Sequence, residues 1–64
     1  MYIKRLRDLR EDHDLTQKQV ADMLGIQQTV YSRYERGYQT IPREHLIKLA
    51  DFYKVNIDYI IGRK

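Results

Sequence analysis

QKQVADMLGIQQTVYSRYERG, residues 17–37, is the stretch that decides the fold. It reads as two short helices joined at Gly25, the spacing of a helix-turn-helix. Thr16 stands just before the first run, where its hydroxyl accepts a bond from one of the backbone N–H groups that a helix start leaves free. Val20, Ala21 and Leu24 share one face of that helix. Gly25 supplies the positive φ on which helices often end, and Ile26 closes the turn as an apolar plug.

The second helix, residues 28–36, carries the message. At about 100° per residue, Gln28, Thr29, Ser32, Arg33 and Arg36 spread over one polar arc. Val30, Tyr31 and Tyr34 take the opposite side and dock on a core. The arc holds amides, hydroxyls and guanidinium groups, with no carboxylate among them. Such groups read base edges: Gln pairs with adenine, Arg with guanine, and a Thr methyl touches thymine. An ordinary solvated helix face is the plain alternative, and the arc alone leaves both readings open.

A family resemblance separates them. The pattern L-T-Q-x-x-V-A-x-x-L-G-I over residues 15–26, followed by S-R-Y-E-R-G over 32–37, resembles the XRE-type helix-turn-helix family, which includes the lambda-repressor and Cro-like DNA-binding domains. The resemblance extends over residues 3–62. It implies an all-α fold, a compact five-helix bundle whose third helix enters the DNA major groove. Carried onto this chain, it makes Gln28, Thr29, Ser32 and Arg33 the base contacts. Gln17, Gln27, Arg36, Tyr38, Gln39, Thr40 and Arg43 become the backbone contacts, with Arg43 directed towards the minor groove. It also implies a partly buried ion pair between Arg10 and Glu35, tying the first helix to the third. The pair makes physical sense, because Glu35 borders the apolar side beside Tyr31, where an unpaired carboxylate is costly.

Sixty-four residues allow one domain, residues 1–64, with the helix-turn-helix at about 17–36. A chain this short buries only ~60% of its unfolded surface, so stability depends on efficient helix packing. There is no cysteine, hence no disulfide and no thiolate zinc site. No apolar run approaches a membrane span, and charges interrupt the amino terminus throughout, so the reading is a cytoplasmic protein without a membrane partner. The formal charge is +3. Its distribution says more than its total: residues 27–43 hold three arginines, Arg33, Arg36 and Arg43, against the single acid Glu35. Asp8, Glu11, Asp12 and Asp14 gather elsewhere. Nucleic acid calls for such a one-sided field.

Along the chain, a first amphipathic helix is expected over residues 2–13, with Ile3, Leu6, Leu9 and Arg10 on one face, and Leu15 dropping into the core beyond it. Asp14 stands where the family often has glycine, which predicts a positive φ there. Residues 37–42, GYQTIP, form a loop along the DNA backbone in the family arrangement. Pro42 suits the first position of helix four, which runs to about Tyr53 with Leu46, Leu49, Ala50 and Tyr53 inward. Lys54 is another residue at a glycine site. Val55 packs, Asn56 caps, and Ile57, Ile60 and Ile61 face inward on a fifth helix ending at Gly62. Tyr59 points outward, either as part of a dimer contact or as a lone exposed aromatic. Two departures from the family pattern stand out. Tyr31 replaces a smaller aliphatic residue, and Gln27 replaces the commoner Ser or Thr cap.

Catalytic and metal chemistry is set aside. His13 lies among acids, but neighbouring helix positions point in different directions, and His45 is distant in sequence. No Ser or Thr has a His and an acid at suggestive spacing. The reading is therefore a transcriptional regulator of the repressor kind, neither an enzyme nor a cofactor or metal binder. It binds double-stranded DNA at a near-palindromic operator as a homodimer. The rival is an antitoxin or bridging module with the same fold, whose partner is a toxin or co-regulator protein.

Overall fold

Five helices account for the regular structure of residues 3–62, the part of the chain that this computed structural model describes: α1 (Lys4–Asp12), α2 (Gln17–Leu24), α3 (Gln28–Arg36), α4 (Arg43–Tyr53) and α5 (Ile57–Ile61). The bounds of α2 and α3 agree with the sequence reading. Helix α1 is shorter than expected. Ile3 is its extended N-cap and His13 its C-cap, while Tyr2 lies outside the described residues. Pro42 is not the first helical residue but the N-cap of α4, with φ −60° and ψ 149°. Its fixed φ suits both positions, and the extended ψ places the helix start one residue later.

Local chemistry sets the helix starts. The Thr16 hydroxyl accepts from the backbone N–H of Gln19, and the Gln19 side chain accepts in return from the Thr16 N–H at 2.8 Å. This reciprocal box satisfies two otherwise free donors. Asn56 does the same work singly for α5, accepting from the Tyr59 N–H at 2.7 Å. Gln27 has the extended N-cap conformation but makes no side-chain cap bond. Helix α3 therefore depends more on packing than on its cap.

Four of the exits share one device. A residue with positive φ is followed by one whose N–H reaches back five residues. Leu15 donates to Arg10, Ile26 to Ala21, Tyr38 to Arg33 and Val55 to Ala50, at 2.9–3.1 Å. Asp14 (φ 55°), Gly25, Gly37 and Lys54 (φ 59°) are the positive-φ residues at these turns. At three of them the donor's side chain, Leu15, Ile26 or Val55, packs against the core. At the fourth it is Tyr38, which is 76% exposed.

The core is a single cluster to which every helix contributes. It includes Leu6 and Leu9 from α1, Val20 and Leu24 from α2, Tyr31 and Tyr34 from α3, Leu49 and Tyr53 from α4, and Ile60 from α5. Tyr31 is fully buried. Ile57, Ile61, Leu46 and Val30 are only partly buried, because each sits at the edge of its helix's apolar stripe. Tyr59 is half exposed without being alone. The Arg5 guanidinium lies 4.6 Å from its ring centre and donates to its carbonyl at 3.0 Å. No helix among the described residues is long and apolar enough to cross a membrane.

Lys54 carries a side chain in the left-handed region, at a cost of ~1–2 kcal/mol. Glycine there removes that strain but adds ~0.4–1 kcal/mol of chain entropy to be lost on folding. Lys54→Gly is therefore expected to raise the melting temperature by a few degrees, since ~1 kcal/mol moves a domain of this size by ~4–8 °C. Asp14→Gly should gain less, because Asp tolerates this conformation better. A thermal melt in which Lys54→Gly matches or falls below wild type refutes the assignment of strain.

Candidate nucleic-acid interface

Helix α3 presents one face outward and is held by the other. Gln28, Thr29, Arg33 and Arg36 are exposed on the outer face and Ser32 is half-buried beside them. Thr29, Ser32, Arg33 and Arg36 line a shallow hollow that the exposed Tyr38 closes from the following loop. Gln39 and Thr40 are exposed further along that loop, and Arg43 is exposed at the first residue of α4. Nearly all the residues singled out by the sequence thus reach the surface along one stretch of chain, α3, its loop and the start of α4. Gln27 lies at its edge, exposed and free of a cap bond.

Glu35 belongs to the same helix but turns the other way. Its side chain is 4% exposed and meets Arg10 of α1, whose side chain is 13% exposed. Arg10 Nε donates to one carboxylate oxygen at 2.6 Å and Nη2 to the other at 3.3 Å, a forked geometry. Arg10 Nη1 donates to the Leu15 carbonyl at 2.8 Å, so the guanidinium also holds the turn that leaves α1. The predicted ion pair is present. The sequence did not reveal its third member: Gln17 of α2 donates its amide to Glu35 at 3.1 Å. Gln17, assigned to the DNA backbone, is thus a fold residue as well, and three helices converge on one carboxylate.

Burial alone pushes a carboxyl pKa up. Here the hydrogen bonds from Arg10 and Gln17, with the adjacent Tyr31 hydroxyl, outweigh it, and Glu35 lies below the ordinary 4.5. Its hydrogen bond to Arg10 leads the causes that raise Arg10 in turn. The Tyr31 hydroxyl is buried with no partner at full hydrogen-bond geometry, so its help is that of a nearby dipole. Burial, followed by the field of Glu35, pushes the Tyr53 hydroxyl up to about 12.

Charge on the outer tract follows from this arrangement. With Glu35 neutralised inside, Arg33, Arg36 and Arg43 set its sign. A cleft lined by Arg7, Arg10, Gln17, Glu35 and Arg36 connects the ion pair to the same side of the molecule. Arg7, which the sequence reading passed over, is bonded to Glu11 at 3.0 Å on the exposed side of α1. His13 does not face a metal constellation; its ring bonds the Leu9 carbonyl at 2.9 Å and lies against Tyr53. Among the described residues, no group of three His, Cys, Asp or Glu side chains is placed to hold a metal ion.

A second link also went unread. The Tyr34 hydroxyl meets His45 Nδ1 of α4 at 3.2 Å. Eleven positions separate the two residues across a loop, so no helical periodicity could pair them.

A family model described as helix-turn-helix matches residues 6–60. The chain is 44% identical to an uncharacterised HTH-type transcriptional regulator of Bacillus subtilis, YobD, over 97% of its own length and 55% of that protein. It is 39% identical to the cryptic phage CTXphi transcriptional repressor RstR of Vibrio cholerae, over 97% of its length and 56% of the relative. The antitoxin PezA of Streptococcus pneumoniae is more distant, at 34% identity over 92% of this chain and 37% of its own. Among solved structures, the P22 c2 repressor bound to a synthetic operator superposes with a TM-score of 0.84, at 23% identity, over 95% of this chain and 92% of that one. At that identity the superposition establishes the fold. The chain spans about half the length of the curated relatives it matches.

Two consequences for stability follow from the network. Glu35→Ala strands Arg10 in a largely buried site and should cost ~3–5 kcal/mol, against a few tenths for an exposed acid such as Asp51. Because the folded pKa of Glu35 lies below its unfolded value, its contribution is complete above about pH 4.5 and is lost as pH falls through the folded value. Denaturant melts from pH 7 to 3 should show this acid loss in the wild type and less of it in Glu35→Gln. Equal acid sensitivity in both would remove Glu35 as its source.

Proposed function

The chain belongs to the XRE-type helix-turn-helix family, and on that premise we propose that it is a sequence-specific double-stranded DNA-binding regulator of transcription, acting as a repressor. One observation carries the reading: the outer face of α3 offers amide, hydroxyl and guanidinium groups, while the helix's only carboxylate is drawn inside by Arg10 and Gln17. A buried acid leaves the exposed face attractive to phosphate and able to donate to guanine and accept from adenine.

In this reading α3 lies in the major groove, with Gln28, Thr29, Ser32 and Arg33 at base edges. Gln27, Arg36, Tyr38, Gln39, Thr40 and Arg43 hold the flanking backbone, and the remaining amide capacity of Gln17 adds one phosphate contact. Binding rather than catalysis is the work assigned to every one of these groups, and the cytoplasm is where they would meet DNA. The antitoxin-type reading draws on the more distant PezA likeness and concerns a protein partner; the basic reading face favours DNA.

Size argues for a dimer on the operator. The longest dimension is 29 Å, while two half-sites in successive major grooves are centred ~34 Å apart. One copy therefore reaches one half-site, and a near-palindrome recruits two. Footprints on a selected site should span both half-sites, and a single half-site protected at full affinity would contradict the dimer.

The roles of the two glutamines separate in a binding series on single-base-substituted duplexes. Gln28→Ala should lose ~1–3 kcal/mol on the preferred site and much less where its base is already changed. Gln17→Ala should weaken all duplexes by a common factor, and it should also lower the melting temperature, because Glu35 loses a donor worth ~1 kcal/mol. Neither removes a charge, so the salt dependence should hardly move; Arg33→Ala flattens it only if that guanidinium touches phosphate. Uniform loss for Gln28→Ala, or a changed order of preference for Gln17→Ala, would show that the two helices have other tasks.

A further inference from the structure

We propose that Tyr34 and His45 form a clasp that keeps the backbone-gripping loop in register with the base-reading helix, which makes His45 a positioning residue for sequence recognition. The proposal rests on the DNA reading above. The two side chains meet through the Tyr34 hydroxyl and His45 Nδ1 at 3.2 Å, with ring centres 6.0 Å apart and planes tilted by 53°. Tyr34 is 2% exposed and His45 is half-buried. Burial, then the charge of Glu44, raises the Tyr34 pKa, so the phenol keeps its proton and can donate or accept. The bond runs from the phenol to Nδ1, or from Nδ1–H to the phenol oxygen, according to the imidazole tautomer.

The position of the bond in the chain gives it a purpose. Residues 34 and 45 bracket the loop that leaves α3 at Gly37 and enters α4 after Pro42. Inside that bracket Ile41 is buried, while Tyr38, Gln39 and Thr40 stand out on the surface and Arg43 follows. The loop is thus fixed at two places, by Ile41 in the core and by the clasp across its base. Glu35 ties α3 to α1 and α2 through Arg10 and Gln17; Tyr34 supplies a polar tie to α4. Phosphate contacts set the register in which base contacts are read, and a recognition site tolerates only ~0.5 Å of displacement between its parts. A shift of α4 and its loop against α3 would separate the two sets of contacts.

Packing alone does not call for these residue types. A phenylalanine and a leucine would fill similar space without desolvating a hydroxyl and an imidazole. The polar pair adds direction, since a hydrogen bond weakens steeply with angle while apolar contact does not.

The test is the binding of wild type, Tyr34→Phe, His45→Leu and His45→Gln to a duplex selected from random sequence and to single-base variants of it, with thermal melts of each protein. Tyr34→Phe and His45→Leu should lose preference for the selected duplex by about fivefold, the worth of one hydrogen bond, when all are measured at the same interval below their own melting temperatures. His45→Gln, whose amide can accept from the phenol or donate to it, should recover most of it. A structural role alone would move the melts and leave the preference intact. Unchanged preference in Tyr34→Phe, or a His45→Gln protein no better than His45→Leu, overturns the clasp. Wild type that prefers no duplex defeats the DNA reading itself, and that result is visible before any variant is compared.

Discussion

Arg10 and Glu35 are the constraint on which the rest depends. A carboxylate with 4% of its side chain exposed is tolerable only because two nitrogens of one guanidinium and the Gln17 amide surround it. The arrangement joins α1, α2 and α3 at one point, and Arg10 extends it to the turn after α1 through the Leu15 carbonyl. It also decides the electrostatics of the outer face. The one acid of α3 is spent inside, and the arginines outside are left without it.

The helices of this bundle are short, five to eleven residues, and helices of that length are marginal alone. What keeps them in place is a common core and a set of well-defined ends. The four exits with positive φ direct the chain sharply back, and three of them drop an aliphatic side chain into the core straight afterwards. At Asp14 and Lys54 the turn is kept without glycine, so the geometry is imposed by packing of Leu15 and Val55 against a local preference. The exit of α3 differs in kind. Its follower, Tyr38, stays outside, where it walls the hollow beside Ser32 and Arg33. A buried aliphatic at that position would strengthen the turn and remove a polar group from the proposed DNA face.

The proposed reading and gripping residues are largely divided between segments, with Arg36 alone of the gripping set on α3 itself. The proposed base contacts sit on α3, and most proposed backbone contacts sit on the loop and on α4. Two polar ties lead from the inner side of α3 in opposite directions, through Glu35 to α1 and α2 and through Tyr34 to α4. Family membership brings the scaffold. The relatives run to about twice this length, so the match covers only part of each.

Local rules determined a great deal from the sequence alone. The cap at Thr16, the Gly25 exit, the bounds of α2 and α3 and the cap at Asn56 all depend on residues within a few positions of one another, and such short-range chemistry is legible in one dimension. The positive φ at Asp14 was legible instead because the family resemblance places a glycine site there. Helical periodicity likewise separated the outer face of α3 from Tyr31 and Tyr34. The Arg10–Glu35 pair was legible for another reason, because both residue types stood at the positions the family resemblance implies. Only the tertiary structure decided the rest. That Gln17 joins Glu35, that Arg5 covers Tyr59, and that Tyr34 meets His45 depends on how helices cross and on side chains far apart in sequence. The first residue of α4 also waited on the tertiary structure, since proline fixes φ but leaves ψ to its surroundings, and at Pro42 ψ is extended.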